Sequence, residues 1–231
     1  GIGKAAALSM AAEGANVVIC ARRVEVLEAA AAEIRTEPGG EVLVVPTDVT
    51  QPEQVKNLFD ETINTFGRVD ILVNNAGTSS VHSFEKATPE IWRADMDLKL
   101  FGAIHCTQAA LPYMKAQRSG RVINLTTPGG KAPGPKSVPT SVTRAAGIAL
   151  TKELSKEYAD HNILVNTVCI GLIKSGQHET RWKQANAADP GLTLEMWYEN
   201  MSKSIPIGRV GEAREAGDLI AFLASDRASY I

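Results

Sequence analysis

Two rhythms of apolar residues alternate along the chain. Short, nearly continuous apolar runs occur at Asn16–Cys20, Val42–Pro46, Ile71–Asn74, Arg121–Leu125 and Leu164–Val168. Runs of this length, rich in Val, Ile and Leu, read as strands covered on both faces. Between them lie longer stretches in which apolar residues recur with a helical period: Ile2–Glu13, Val24–Arg35, Pro52–Phe66, Pro89–Lys115, Pro139–Ala159 and Glu212–Ala224. Proline opens three of these, which suits the first helical turn, where no backbone donor is needed. Strand and helix in alternation predict an α/β fold, a doubly wound parallel sheet in three αβα layers. Gly39-Gly40 and the Pro128–Pro135 run punctuate one domain spanning residues 1–231 rather than linking two.

Composition narrows the class. At 231 residues and 44% hydrophobic content, the chain is long enough for a sizeable core. The net charge of −2 is spread along the chain, so no basic stripe invites nucleic acid, and no apolar run approaches the roughly 20 residues of a membrane span. A small-molecule substrate is the expected partner. Cys20, Cys106 and Cys169 lie in apolar segments, predicting buried free thiols in a reducing, cytoplasmic setting. None has the short spacing of a metal ligand set, so no metal is expected.

Gly1-Ile2-Gly3 runs straight into a helical pattern, a turn that lets a pyrophosphate approach the backbone and the first helical N–H groups. It reads as the last part of a glycine-rich motif. Ala221–Asp226 likewise reads as a helix that precedes a closing strand, so the chain is expected to be clipped at both ends. After the first predicted strand, Ala21 stands where NAD-binding proteins place a carboxylate, and Arg22 follows. A guanidinium there suits a 2′-phosphate, so NADP is expected over NAD.

Further motifs follow in order: Asp48-Val49, Asn74-Asn75-Ala76-Gly77, and Asn166 through Ser175 with Gly171 and Ile173. With the glycine turn they resemble the short-chain dehydrogenase/reductase family from end to end. The resemblance implies an oxidoreductase holding NADP(H). Gly1, Ile2 and Gly3 would contact the pyrophosphate, and Asp48 and Val49 the adenine. Asn75, Ala76 and Gly77 would lie beside the adenine ribose, and Gly171, Ile173 and Ser175 beside the nicotinamide half. It also implies a substrate lid at about 177–204, carrying Trp182, Trp197 and Tyr198, and a homodimer or homotetramer formed through the two long helices. Ile170 replaces that family's usual proline.

The reacting residues depart from the family. Its Asn, Ser, Tyr and Lys positions hold Lys99, Thr127, Thr140 and Arg144 here. A threonine hydroxyl is too weak an acid to replace a phenol as proton donor near neutral pH. Two hydroxyls and two cations would instead favour an anion, whether carboxylate, phosphate, halide or enolate. Lys99 beside Arg144 would have a depressed pKa suited to acid–base work. Three readings stay open: an oxidoreductase with a rearranged donor, a non-redox lyase, isomerase or dehalogenase-type enzyme using a cationic pocket, and a silent NADP-binding protein. His82 is a further candidate acid. Tyr113 and Tyr158 read as packing residues, and His105 and His161 as ordinary helix or loop histidines.

Overall fold

The computed structural model describes residues 1–231. In chain order the elements are α1 (Ile2–Ala12), β1 (Val17–Ala21), α2 (Val24–Ile34), β2 (Val42–Pro46), α3 (Pro52–Phe66), β3 (Ile71–Asn74) and β4 (Val81–His82). There follow α4 (Pro89–Met96), a π-helical turn (Asp97–Phe101), α5 (Gly102–Gln117), β5 (Gly120–Thr126), β6 (Val138–Pro139) and α6 (Thr140–Glu157). The chain finishes with β7 (Ile163–Cys169), α7 (Gly176–Ala188), α8 (Leu194–Ser202) and α9 (Ala213–Ala224).

The expected parallel α/β sheet is present. β5 pairs in parallel with β3 on one side and β7 on the other, and β1 pairs in parallel with β2. β1 and β3 are not bonded to each other, and a cavity of about 730 Å³ lies between these two parts of the sheet. β5 is buried along its whole length, the position its continuous apolar run calls for. One face carries α3, α5 and α6, whose Val55, Phe59, Leu111, Met114 and Leu154 meet Val122 and Ile163. The other carries α1 and α9, where Ala6, Ile220 and Leu223 meet Ile123 and Val168. α1 and α9 approach so closely that a Cβ on Gly217 would stand 2.7 Å from the Ala5 carbonyl carbon.

Local signals explain the boundaries. Gly67 closes α3 with φ 72°, a conformation that favours glycine. Thr88 caps α4 and Pro89 opens it. A reciprocal capping box of Glu212 and Glu215 opens α9, and Arg209 grips Glu215, holding its carboxyl at about 2.

Two expectations need correction, and one feature had no forerunner in the sequence. The single helix predicted over Pro89–Lys115 is interrupted by the π turn at Asp97–Phe101, a local widening that a hydrophobic period does not reveal. Only Cys106 is a buried thiol. Cys20 and Cys169 are exposed: Cys169 ends β7, and Cys20 lines the cavity beside β1. The antiparallel pair β4–β6 was not anticipated, since two-residue strands carry no alternation to read. Residues 177–204, expected as a lid, hold α7 and α8, and the loop between them is tied to α7 by bonds from Trp182 Nε1 and Asn186 Nδ2 to Leu192 O at 2.8 and 2.9 Å.

Candidate active site

The cavity wall collects residues from both halves of the predicted site: Gly3, Arg22, Asp48, Val49, Asn75, Ala76, Gly77, Lys99 and Arg144. α1 begins at Ile2 with Gly1 as its cap and no side chain bonded there, so its first N–H groups remain unspent. A Cβ on Gly3 would lie 2.6 Å from Asn75 Nδ2, so this turn and the Asn75 loop touch only because Gly3 has none. Asp48 Oδ1 accepts from Thr50 N at 3.0 Å and Thr50 Oγ1 at 2.8 Å, shaping the loop after β2. Arg22 is exposed at the end of β1. Asn74 Nδ2 donates to Asn124 Oδ1 at 2.8 Å, and Asn124 Nδ2 donates to Thr151 Oγ1 at 2.9 Å, which ties β3, β5 and α6 together. Free helix-end donors, a glycine cradle and an exposed guanidinium fit a dinucleotide phosphate.

The reacting half is built differently. Lys99 projects from the π turn and forms an ion pair with Asp95, four residues earlier, and both side chains are only 1% exposed. Lys99 Nζ also donates to Thr140 Oγ1 at 2.7 Å. Thr140 Oγ1 in turn donates to Asp95 Oδ1 at 3.3 Å and accepts from Ser80 N at 2.9 Å. Arg144 Nη1 donates to Leu125 O at 2.6 Å, which turns the guanidinium toward Gly77, where a Cβ would stand 2.8 Å from Nη2. Asp95 Oδ2 and Arg144 Nε are buried with no protein partner.

Burial pushes the Lys99 ammonium below its ordinary range; the Asp95 carboxylate opposes this and the Arg144 charge adds to it. Burial likewise lowers Arg144, with Asp95 acting against it. The cationic pocket expected from sequence is therefore corrected: Asp95 neutralises Lys99 and leaves Arg144 as the uncompensated charge. Sequence reasoning missed Asp95 and Ser80. The four-residue spacing of Asp95 and Lys99 on a helix was the available signal for the first.

Other predicted residues lie elsewhere. Thr127, at the end of β5, is half-buried and off the cavity wall, as is Thr140. Gly171 is exposed, Ile173 forms an isolated bridge with Gly211, and Ser175 precedes α7; none of the three is on the wall. Gly1 and Ile2 flank the wall residue Gly3. His82 is half-buried in β4 opposite Val138. Tyr113 and Tyr158 pack against the α3–α5–α6 core, as expected. His105 Nδ1 lies 3.2 Å from Val49 O, and His161 is within 3.9 Å of Asp160.

Residues 1–231 match the family model described as enoyl-(acyl carrier protein) reductase. The chain is 35% identical over 232 residues to the 3-oxoacyl-[acyl-carrier-protein] reductase of Staphylococcus epidermidis, covering 100% of this chain and 90% of that one. Among solved structures, L-sorbose reductase from Gluconobacter frateurii, complexed with NADPH and L-sorbose, matches with a TM-score of 0.94. Its identity is 32%, covering 100% of this chain and 88% of that one. An NADPH-bound short chain oxidoreductase from Pseudomonas aeruginosa PAO1, described as containing an atypical catalytic center, matches at 0.91 with 33% identity and the same coverage. The expectation of NADP(H) agrees with the NADPH held in both structures.

Proposed function

The chain belongs to the short-chain dehydrogenase/reductase family, and we propose that it is an NADP(H)-dependent carbonyl reductase whose proton donor is Lys99 acting through Thr140. One observation carries this reading: the 2.7 Å bond from the Lys99 ammonium to the Thr140 hydroxyl. Alone, a threonine hydroxyl is too weak an acid, but a hydroxyl bonded to an ammonium has only to pass a proton along. NADPH, when bound, supplies the hydride. Arg22 would bond its 2′-phosphate, the free end of α1 would meet its pyrophosphate, and Arg144 would bond a ribose hydroxyl.

A second reading, NADP binding without hydride transfer, is favoured by a specific observation. The Thr140 hydroxyl already has three partners, Lys99, Asp95 and Ser80, so it must release Asp95 to reach a substrate. Fluorescence titration with NADPH, followed by NADPH oxidation in the presence of a β-keto ester and of L-sorbose, separates the two. Binding with slow, Lys99-dependent oxidation is the expected result. Binding with no oxidation by any carbonyl probe would overturn the reductase reading in favour of the second.

A further inference from the structure

The proton path above leaves Asp95 without a role, yet Asp95 is enclosed as fully as Lys99. Its Oδ1 takes both the Lys99 ammonium and, at 3.3 Å, the Thr140 hydroxyl, so a single oxygen holds two groups that come from different helices. A buried carboxylate costs several kcal/mol unless it is paired, so such a group is retained where its partner needs it. Ser80 N fixes the Thr140 hydroxyl from a third direction. We propose, resting on the reductase reading, that Asp95 is the positioning residue of this site, aligning the Lys99 ammonium and the Thr140 hydroxyl as one relay.

The step balances as follows. The hydride adds to the carbonyl carbon, and the carbonyl oxygen takes the Thr140 proton. Thr140 takes a proton from Lys99, which is left as a neutral amine. Lys99 lines the cavity, and water entering that cavity returns the proton between turnovers. Asp95 keeps its charge, gives up the Thr140 bond when that hydroxyl turns to the substrate, and holds Lys99 in its acid form until the hydride moves. The charged groups facing Lys99 are Asp95 from α4 and Arg144 from α6, and they act in opposite senses. Ser80 and Gly77, on the loop that follows β3, bring no charge.

The sign of the pH effect follows. Lys99 works protonated, so turnover is lost as pH rises through its pKa. In Asp95→Asn, burial and Arg144 act unopposed, and the loss comes at lower pH. The alkaline limb of kcat should move down by about one unit or more. KM and NADPH affinity should stay within about threefold, and Asp95→Glu should restore the limb. An unmoved limb in Asp95→Asn would reduce Asp95 to a packing role and overturn the proposal.

Two further measurements guard against a misfolded variant. Lys99→Met/Asp95→Asn, which removes both members of the ion pair together, should be no slower than Lys99→Met; further loss would mean that Asp95 acts independently of Lys99 and would overturn the proposal. A ¹⁵N titration of the Lys99 ammonium by NMR needs no substrate. If the wild type binds NADPH but reduces nothing, the reductase reading fails, and this titration alone decides: a Lys99 pKa unchanged in Asp95→Asn sinks the positioning role.

Discussion

Gly3 and Gly77 shape the cofactor side of the cleft by lacking a side chain, whereas Asp95, Lys99, Thr140 and Arg144 shape the reacting side by filling it. On the first side the polar groups are unspent: the α1 N-terminus carries no side-chain cap, and Arg22 is exposed. On the second they are spent on one another, and the ion pair is closed to solvent. The first arrangement is a receptor waiting for an anion. The second is a cluster in which Asp95 pairs with Lys99 while Arg144 is held by the Leu125 carbonyl. One fold supports both because the first depends on backbone and the second on side chains that converge from α4, α6 and the π turn.

The sharpest way to break that contrast is Lys99→Met. Carbonyl reduction should fall about 10²–10⁴-fold, the usual worth of a positioned acid, while NADPH affinity stays within about threefold. The same variant strands the Asp95 carboxylate, so urea unfolding should show a loss of about 3–5 kcal/mol. A stable, fully active Lys99→Met would mean that the two sides do not differ as described and would make His82 the next acid to test.

A redesign of the reacting side sharpens the contrast. Thr140→Tyr alone would drive a phenol into Lys99 Nζ, which lies 2.7 Å from the present hydroxyl. Combined with Lys99→Asn, Asp95→Asn and Arg144→Lys, it should raise reduction of a β-keto ester about 10²-fold, since a phenol becomes the acid and no carboxylate is stranded. No gain in steady-state rate would show that the pocket around the cluster also differs.

The cofactor side predicts smaller effects. Arg22→Ala should weaken NADPH about ten- to a hundredfold and leave NADH unchanged, measured by titration of both. Equal wild-type affinity for the two cofactors would remove Arg22 from the site. Smallest of all, Gly77→Ala should weaken NADPH about three- to tenfold. The added methyl would press on an Arg144 guanidinium that Leu125 O already holds, leaving it little room to yield.

Sequence alone determined the alternation of the main strands and helices, the parallel sheet and the glycine turn that opens α1. These rest on local quantities: the length of an apolar run, a helical period, and glycine where a Cβ would collide. It also determined that position 140 carries no phenol and that a lysine and an arginine stand nearby. What only the tertiary structure decided is the state of those cations. Asp95 becomes the partner of Lys99 because the π turn and the packing of α4 and α6 enclose both side chains together. Ser80 reaches Thr140 from 60 residues away through the β4–β6 pairing, a contact with no local signature. Whether a charge is free or neutralised depends on burial and on partners that converge from separate elements; the four-residue spacing of Asp95 and Lys99 permits the pair but does not reveal its burial.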